Sequence, residues 1–413
     1  MNKTLFSYIF LFLFIGIHVY AQCDYTQSRY QTTATFQVQY GKAERFNGTS
    51  APLYLNIFKP KGDNNSSRPL FIWVHGGGFY GGDYNDFNNL CQFMASKGIV
   101  AATISYRLGF VPPSGFDYPF TFDQNEIIRA VYRGMQDTKG AIRFLKNRHL
   151  EDSTDLNNVF VGGSSAGGFI ALAACYLDSE SEKPIDTWKL GSIKRGNTEY
   201  SRPDLGPIDG TLNKGQADAS VKGVVSIAGG LSNPGIIDNN QDILAFLYHQ
   251  TMDPVVNCGY DQPYWDFPAI PDNYPFIYGS CEILNYYDSL GVNPDYYDSI
   301  IYPGNEHSIH DIVLFAEKLT SFLNKAICET PTATISVPTE KESIYPNPAT
   351  DYILVPRMKN ISIVGLDGKR YYAKYTQVDD RSRLDITDLP MGIYFISAEL
   401  NTGQPVQWKF VKN

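Results

Sequence analysis

One stretch, Val159-Phe-Val-Gly-Gly-Ser-Ser-Ala-Gly-Gly168, limits what this chain can fold into. An apolar strand pattern runs into Gly-Ser-Ser-Ala-Gly, and the apolar run Phe169 to Leu177 continues with the texture of a buried helix. In a G-x-S-x-G turn between strand and helix the middle residue, here Ser165, sits on a bend that only glycine neighbours tolerate, which exposes its hydroxyl above the sheet. A glycine-serine turn without chemistry fits the same five residues. Context separates the two readings: a strand before, a helix after and a second glycine motif upstream favour a nucleophile.

The flanking segments alternate between two textures. Residues 30 to 60 read as an antiparallel edge hairpin, with Ala34 to Tyr40 and Leu53 to Phe58 as its strands. Pro69 to His75 and Ile99 to Tyr106 are continuous apolar runs of the kind buried in parallel sheets, separated by helical spacing around Phe87 to Ala95. A long amphipathic helix is predicted over Glu126 to Arg148. Beyond the serine turn come strands at Val221 to Ile227, Ile243 to Tyr248 and Asp298 to Tyr302, with helices at Glu282 to Leu290 and His310 to Ile327. Strands alternating with helices predict an α/β fold with a doubly wound, mostly parallel sheet.

Three insertions break the rhythm: Phe110 to Phe122, Ser179 to Ser220, and the aromatic Asn257 to Tyr278. Loops at the carboxyl ends of strands build sites in such sheets, so these are candidate pocket walls, although surface decoration explains them as well. The 29 tyrosines, concentrated in loops, favour bulky or aromatic substrates. The net charge of -9 argues against nucleic acid or an anionic membrane as partner.

Met1-Asn-Lys-Thr4, the apolar run Leu5 to Val19 and Tyr20-Ala21-Gln22 have the layout of a cleaved signal peptide, so no integral membrane segment is expected in the mature chain. Gln22 argues against a lipid anchor on Cys23. Export permits disulfides among the remaining six cysteines. Cys258 and Cys281 flank one long loop and are the best candidate pair, Cys175 is expected as a buried thiol, and no metal pattern is present.

Acyl transfer needs a nucleophile, a base, an acid to orient the base, and donors for the oxyanion. In the strand order expected here the acid and histidine follow the serine, which leaves His249, His307 and His310. His307 follows the last strand and is the expected base, with His310 as alternative and as a residue at the start of the final helix. Asp253, in an Asp-Pro turn after the strand ending at Tyr248, is the expected acid, with Asp261 and Asp266 as fallbacks. His75-Gly-Gly-Gly-Phe79 follows a strand, and its successive glycines let backbone approach a substrate. Gly77 and Gly78, with Ala166 after the serine, are the expected oxyanion donors. No Gly-Lys-Ser/Thr follows, which argues against phosphate binding.

His75-Gly-Gly-Gly-Phe79, Ser105-Tyr-Arg-Leu-Gly109, Gly163-Ser-Ser-Ala-Gly167, His249-x-x-x-Asp-Pro254 and Pro303-Gly-Asn-Glu-His307 together resemble the carboxylesterase and hormone-sensitive-lipase-like branch of the α/β-hydrolases. The resemblance covers roughly residues 30 to 327. It implies hydrolysis of small or aromatic carboxylic esters through an acyl-enzyme, with no cofactor and no metal. Two positions depart from it: Ser164 stands where carboxylesterases often carry an acid, and Tyr106-Arg-Leu-Gly109 lacks the Ala-Pro-Glu continuation. A peptidase of the same fold and a non-catalytic surface binding protein are the competing readings.

After a Thr/Pro-rich stretch at 329–340, the chain from Lys341 to Asn413 has only short strands between Gly and Asp turns, which predicts a small all-β sandwich. Ile344-Tyr-Pro-Asn-Pro-Ala-Thr-Asp351, Asp388-Leu-Pro-Met-Gly-Ile-Tyr-Phe395 and Lys409-Phe-Val-Lys412 resemble a C-terminal sorting domain of the type IX secretion system. That resemblance implies export through the periplasm to the surface or medium, with the type IX machinery as a partner. The predicted organisation is a signal peptide at 1–21, a hydrolase domain at 22–328, a linker at 329–340 and a sandwich at 341–413.

Overall fold

Side chains that alternate between two buried faces produce the central sheet. In β3 (Arg68–Val74) Leu70, Ile72 and Val74 enter one core while Phe71 and Trp73 enter the other. The same division holds for Val159 and Val161 against Phe160 in β5 (Thr154–Ser164). A strand buried on both faces has no polar side to show, which is why these runs read as uniformly apolar. The computed structural model describes residues 23–112, 120–215, 217–237, 243–267, 270–328, 344–365, 370–371, 373–378, 381–400 and 405–412. The predicted signal peptide and linker, and part of the first insertion, lie outside the described residues.

The remaining strands are β1 (Gln31–Glu44), β2 (Ser50–Lys61), β4 (Val100–Ile104), β6 (Gly223–Ile227), β7 (Leu244–Gln250) and β8 (Tyr297–Tyr302). The eight strands stand in the order β1-β2-β4-β3-β5-β6-β7-β8. β1 and β2 pair as the expected antiparallel hairpin, β2 pairs antiparallel with β4, and every later pairing is parallel. This is the α/β-hydrolase arrangement. Helices α2 (Gln124–Asn147), α3 (Ala166–Tyr176) and α4 (Ser280–Leu290) cover one face. α1 (Asn88–Ser96) and α5 (Ile312–Cys328) cover the other.

The second insertion is strapped to α2. Arg129 donates to the carbonyls of Asp186 and Trp188, Tyr132 to that of Gly206, and Gln136 to those of Leu205 and Pro207. Donors on a buried helix thereby satisfy carbonyls of a loop that has few regular partners of its own. Part of that loop does form a hairpin, Leu190–Arg195 with Thr198–Arg202. The third insertion contributes Tyr260–Asp261 and Ile277–Gly279 to a small antiparallel sheet with Gly230–Leu231.

Two disulfides form: Cys258–Cys281, the expected pair, and Cys23–Cys328, which spacing does not predict. Cys175 is a buried free thiol, as is Cys91. No helix among the described residues is long and apolar enough to cross a membrane.

The chain divides into two compact units, residues 1–330 and 331–413. In the second, Tyr352–Pro356, Arg381–Asp385 and Tyr375–Val378 make one sheet, and Arg370–Tyr371, Met358–Gly365, Gly392–Leu400 and Pro405–Lys412 make another. Ile353, Val355, Leu384, Ile396 and Phe410 form the shared core of a small sandwich.

Candidate active site

The serine, the glycine loop, Asp253 and His307 each lie just beyond the carboxyl end of a parallel strand, where an open α/β sheet places its ligands. Ser165 follows β5, the glycines follow β3, Asp253 follows β7 and His307 follows β8.

The serine turn is as tight as its glycines imply. Ser165 has φ 53° and ψ -123°, a conformation that side chains larger than hydrogen rarely adopt, and its N–H donates to the Ile227 carbonyl at 2.7 Å. A Cβ at Gly163 would stand 2.2 Å from the Gly167 carbonyl oxygen, and one at Gly167 would stand 2.1 Å from that of Val74. Both positions therefore exclude any other residue. The turn opens directly into α3, whose first-turn N–H groups and dipole face the serine.

Ser165 Oγ is 2.8 Å from His307 Nε2, and His307 Nδ1 is 2.6 Å from Asp253 Oδ2. The structure thus joins the three residues in one hydrogen-bonded line. Asp253 is fully buried, and its second oxygen accepts the N–H groups of Val255 at 2.8 Å and Val256 at 3.0 Å. Those bonds hold the carboxylate edge-on toward the imidazole. Asp261 instead accepts from Gln262 N–H, and Asp266 is exposed; neither bonds His307.

The two other candidate histidines serve elsewhere. His249 lies inside β7, fully buried, where it bonds the Val256 carbonyl through Nε2 at 2.8 Å and Ser280 Oγ through Nδ1 at 2.9 Å. Burial lowers its pKa, so the ring is neutral and Nε2–H is the donor to Val256. It ties the Asp253 turn to the start of α4, beside the Cys258–Cys281 bridge. His310 precedes α5, which begins at Ile312, and stacks flat on Tyr302 at 3.5 Å between ring centres. The expectation that it starts the helix is off by two positions, because Asp311 is the cap: its carboxylate accepts the N–H groups of Val313 and Leu314, each at 3.0 Å.

Supports that motif reading missed fix the other loops. Trp265 Nε1 donates to the Asp253 carbonyl at 2.7 Å. Gln250 donates to the Ser308 carbonyl at 2.8 Å and accepts Glu306 N–H at 3.0 Å, bracketing His307 from both sides. Gln250 directly follows His249 at the end of β7, but no residue pattern marks a glutamine as a clamp.

Gly78, Ala166 and Ser165 share one small cavity with Phe79, Phe169 and Tyr264. Gly77, next to Gly78 in the loop, has φ +115° and a carbonyl that accepts Tyr80 N–H at 3.1 Å and Gly81 N–H at 2.9 Å. His75 is buried against the Tyr106 ring, and the Tyr106 hydroxyl donates to the His75 carbonyl at 3.1 Å. Next to it Arg107 is paired with the buried Asp137, locking Ser105-Tyr-Arg-Leu-Gly109 onto α2. The arrangement brings together a serine, a histidine, a buried carboxylate and a glycine-lined approach, the residue types that acyl transfer uses.

Comparison with known proteins finds matches for two segments of the chain. The carboxylesterase family model matches residues 22–183, and the secretion system C-terminal sorting domain model matches residues 343–413. A fumonisin B1 esterase of Sphingopyxis macrogoltabida is 36% identical over 132 residues, 30% of this chain and 23% of that protein. A para-nitrobenzyl esterase of Bacillus subtilis (strain 168) is 30% identical over 123 residues, 30% of this chain and 24% of that protein. The chain thus spans about a quarter of the length of these curated relatives. The apo form of Thermogutta terrifontis esterase 2 covers 73% of this chain and 97% of its own at 15% identity, with a TM-score of 0.45. Ser165 and the glycine loop fall inside the family match, whereas Asp253 and His307 lie beyond it.

Proposed function

Since residues 22–183 are a carboxylesterase-family segment and residues 343–413 a secretion sorting domain, we propose that this chain is a secreted serine hydrolase of carboxylic esters. The observation that carries the reading is the unbroken line Ser165 Oγ, His307, Asp253 at 2.8 and 2.6 Å.

Asp253 holds His307 with Nδ1 protonated, which leaves Nε2 free to accept the Ser165 proton. The serine oxygen attacks the ester carbonyl, and the N–H groups of Gly77, Gly78 and Ala166 receive the oxyanion that forms. As the tetrahedral species collapses, His307 gives its proton to the departing alcohol and an acyl-serine remains. Water, deprotonated by the same histidine, attacks the acyl-serine, and the acid leaves with the serine restored. No step draws on a metal or cofactor. The substrates are small esters, aryl esters among them, and the sorting domain delivers the chain to a type IX secretion machinery.

Ser165→Ala is expected to lower kcat on p-nitrophenyl acetate by more than about 10³-fold, because the residual rate comes from binding and oxyanion contacts alone. Turnover within tenfold of the unaltered protein would remove Ser165 from the reaction.

A further inference from the structure

The cavity beside Ser165 has a volume of about 40 Å³. Next to it lies an apolar cleft of about 450 Å³ that runs past Val131, Met135, Leu231 and Tyr260. Ile127, Phe169 and Ile277 stand in the walls of both. They form a partition: Phe169 reaches from α3 and meets the Phe79 ring edge-on at 6.0 Å between centres, and Ile277 comes from the small sheet held by the Cys258–Cys281 bridge.

The small cavity has a defined chemical side. Carbonyl oxygen must face the N–H groups of Gly78 and Ala166, and the leaving oxygen must lie within reach of His307. Gly78 and Ala166 line the cavity and His307 does not, so the cavity belongs to the acid half of an ester. A benzene ring occupies a cavity of about 150 Å³, and one water takes about 30 Å³ of liquid. The space at Ser165 therefore fits a group of about one methyl, while the alcohol half leaves toward the partly exposed His307.

Resting on the ester-hydrolase reading above, we infer that the substrates are acetyl-sized esters of larger alcohols, and that Phe169, Ile127 and Ile277 keep longer acids out of the adjoining cleft. The partition is the specificity-determining feature, and the cleft behind it is acyl space withheld from the reaction. The aromatic residues of the loops then bear on the alcohol or on the partition, not on an aromatic acid.

The test is kcat/KM on p-nitrophenyl acetate, butyrate and hexanoate for the unaltered full chain, Phe169→Ala and Ile277→Ala. The unaltered protein is expected to favour acetate over hexanoate at least tenfold. Opening the partition lets added methylenes enter apolar space, each worth about fourfold, so the hexanoate-to-acetate ratio should rise at least tenfold in Phe169→Ala. If Phe169→Ala does not stay folded by thermal melt, the same ratio in Ile277→Ala decides. A flat chain-length profile in the unaltered protein, or an unchanged ratio in a folded partition variant, overturns the inference and leaves ester hydrolysis standing. Folded protein with no turnover on any of the three esters overturns the hydrolase reading itself, and the inference with it.

Discussion

Asp253→Asn would keep the shape of a fully buried side chain and remove only its charge. One carboxylate oxygen accepts the N–H groups of Val255 and Val256, at 2.8 and 3.0 Å, and the other accepts from His307 Nδ1 at 2.6 Å. An amide has one acceptor oxygen and one donor group. With its oxygen on the two backbone donors, the NH₂ faces Nδ1, and the imidazole must turn tautomer and carry its proton on Nε2. That proton then points at Ser165 Oγ, 2.8 Å away, and the ring cannot take another from the serine. With the amide turned the other way, two buried N–H groups lose their acceptor at about 1–3 kcal/mol apiece, which disfavours the rescue. The wrong tautomer costs about 10⁴ in kcat in an equivalent triad, about 5.5 kcal/mol of barrier. Steady-state kcat on p-nitrophenyl acetate measures it, with Ser165→Ala as the floor and a thermal melt to establish folding. Asp261→Asn and Asp266→Asn should stay close to the unaltered rate. A folded Asp253→Asn with more than a tenth of the normal kcat, or a comparable loss in Asp261→Asn, would refute the assignment of the acid.

Two further outcomes are expected. Burial lowers the pKa of both His75 and His249, so below about pH 6.5 the unfolded chain takes up protons that the folded one refuses. Stability is fully present above that pH and is lost on acidification toward the lowered folded values, by up to about 1.4 kcal/mol per pH unit for each ring. Thermal melts between pH 7 and pH 5 should fall on the acid side, and a constant or rising midpoint would contradict this. Deleting residues 343–413 should leave the chain inside a host that exports the full-length form, since the matched sorting domain lies there. Detection of the shortened chain in the medium at normal yield would count against that route.

The parts of the site visible in the sequence were those for which chemistry restricts residue type. Gly163 and Gly167 admit no Cβ, and a six-histidine chain with a fixed strand order leaves few candidates for the base. Strands buried on both faces also declared themselves, because Phe71, Trp73 and Phe160 have nowhere polar to point. What stayed hidden depends on distance between segments remote in sequence. Gln250 acts through two hydrogen bonds and Trp265 through one, and many residue types can stand beside a turn. The strands Gly230–Leu231 and Tyr260–Asp261 are too short for any alternation to register. The size of the cavity at Ser165 could not be read either: tyrosine-rich loops suggested room for bulky groups, whereas rings such as Tyr264 and Tyr274 pack against one another at 5.2 Å and fill it.

The bond between Cys23 and Cys328 spans 305 residues and joins the segment ahead of β1 to the last residue of α5. Tyr25 N–H adds a bond to Asn324 at 2.8 Å beside it. Chains ordinarily open and are digested from their ends, since the terminal residues have the fewest neighbours. Here the segment before β1 and the end of α5 are a single covalent point, so neither can peel away without displacing the other. On the chain-entropy account, a tie of that length removes about 5–6 kcal/mol of freedom from the unfolded ensemble. A cut anywhere past Cys328 takes the tail and leaves that tie closed.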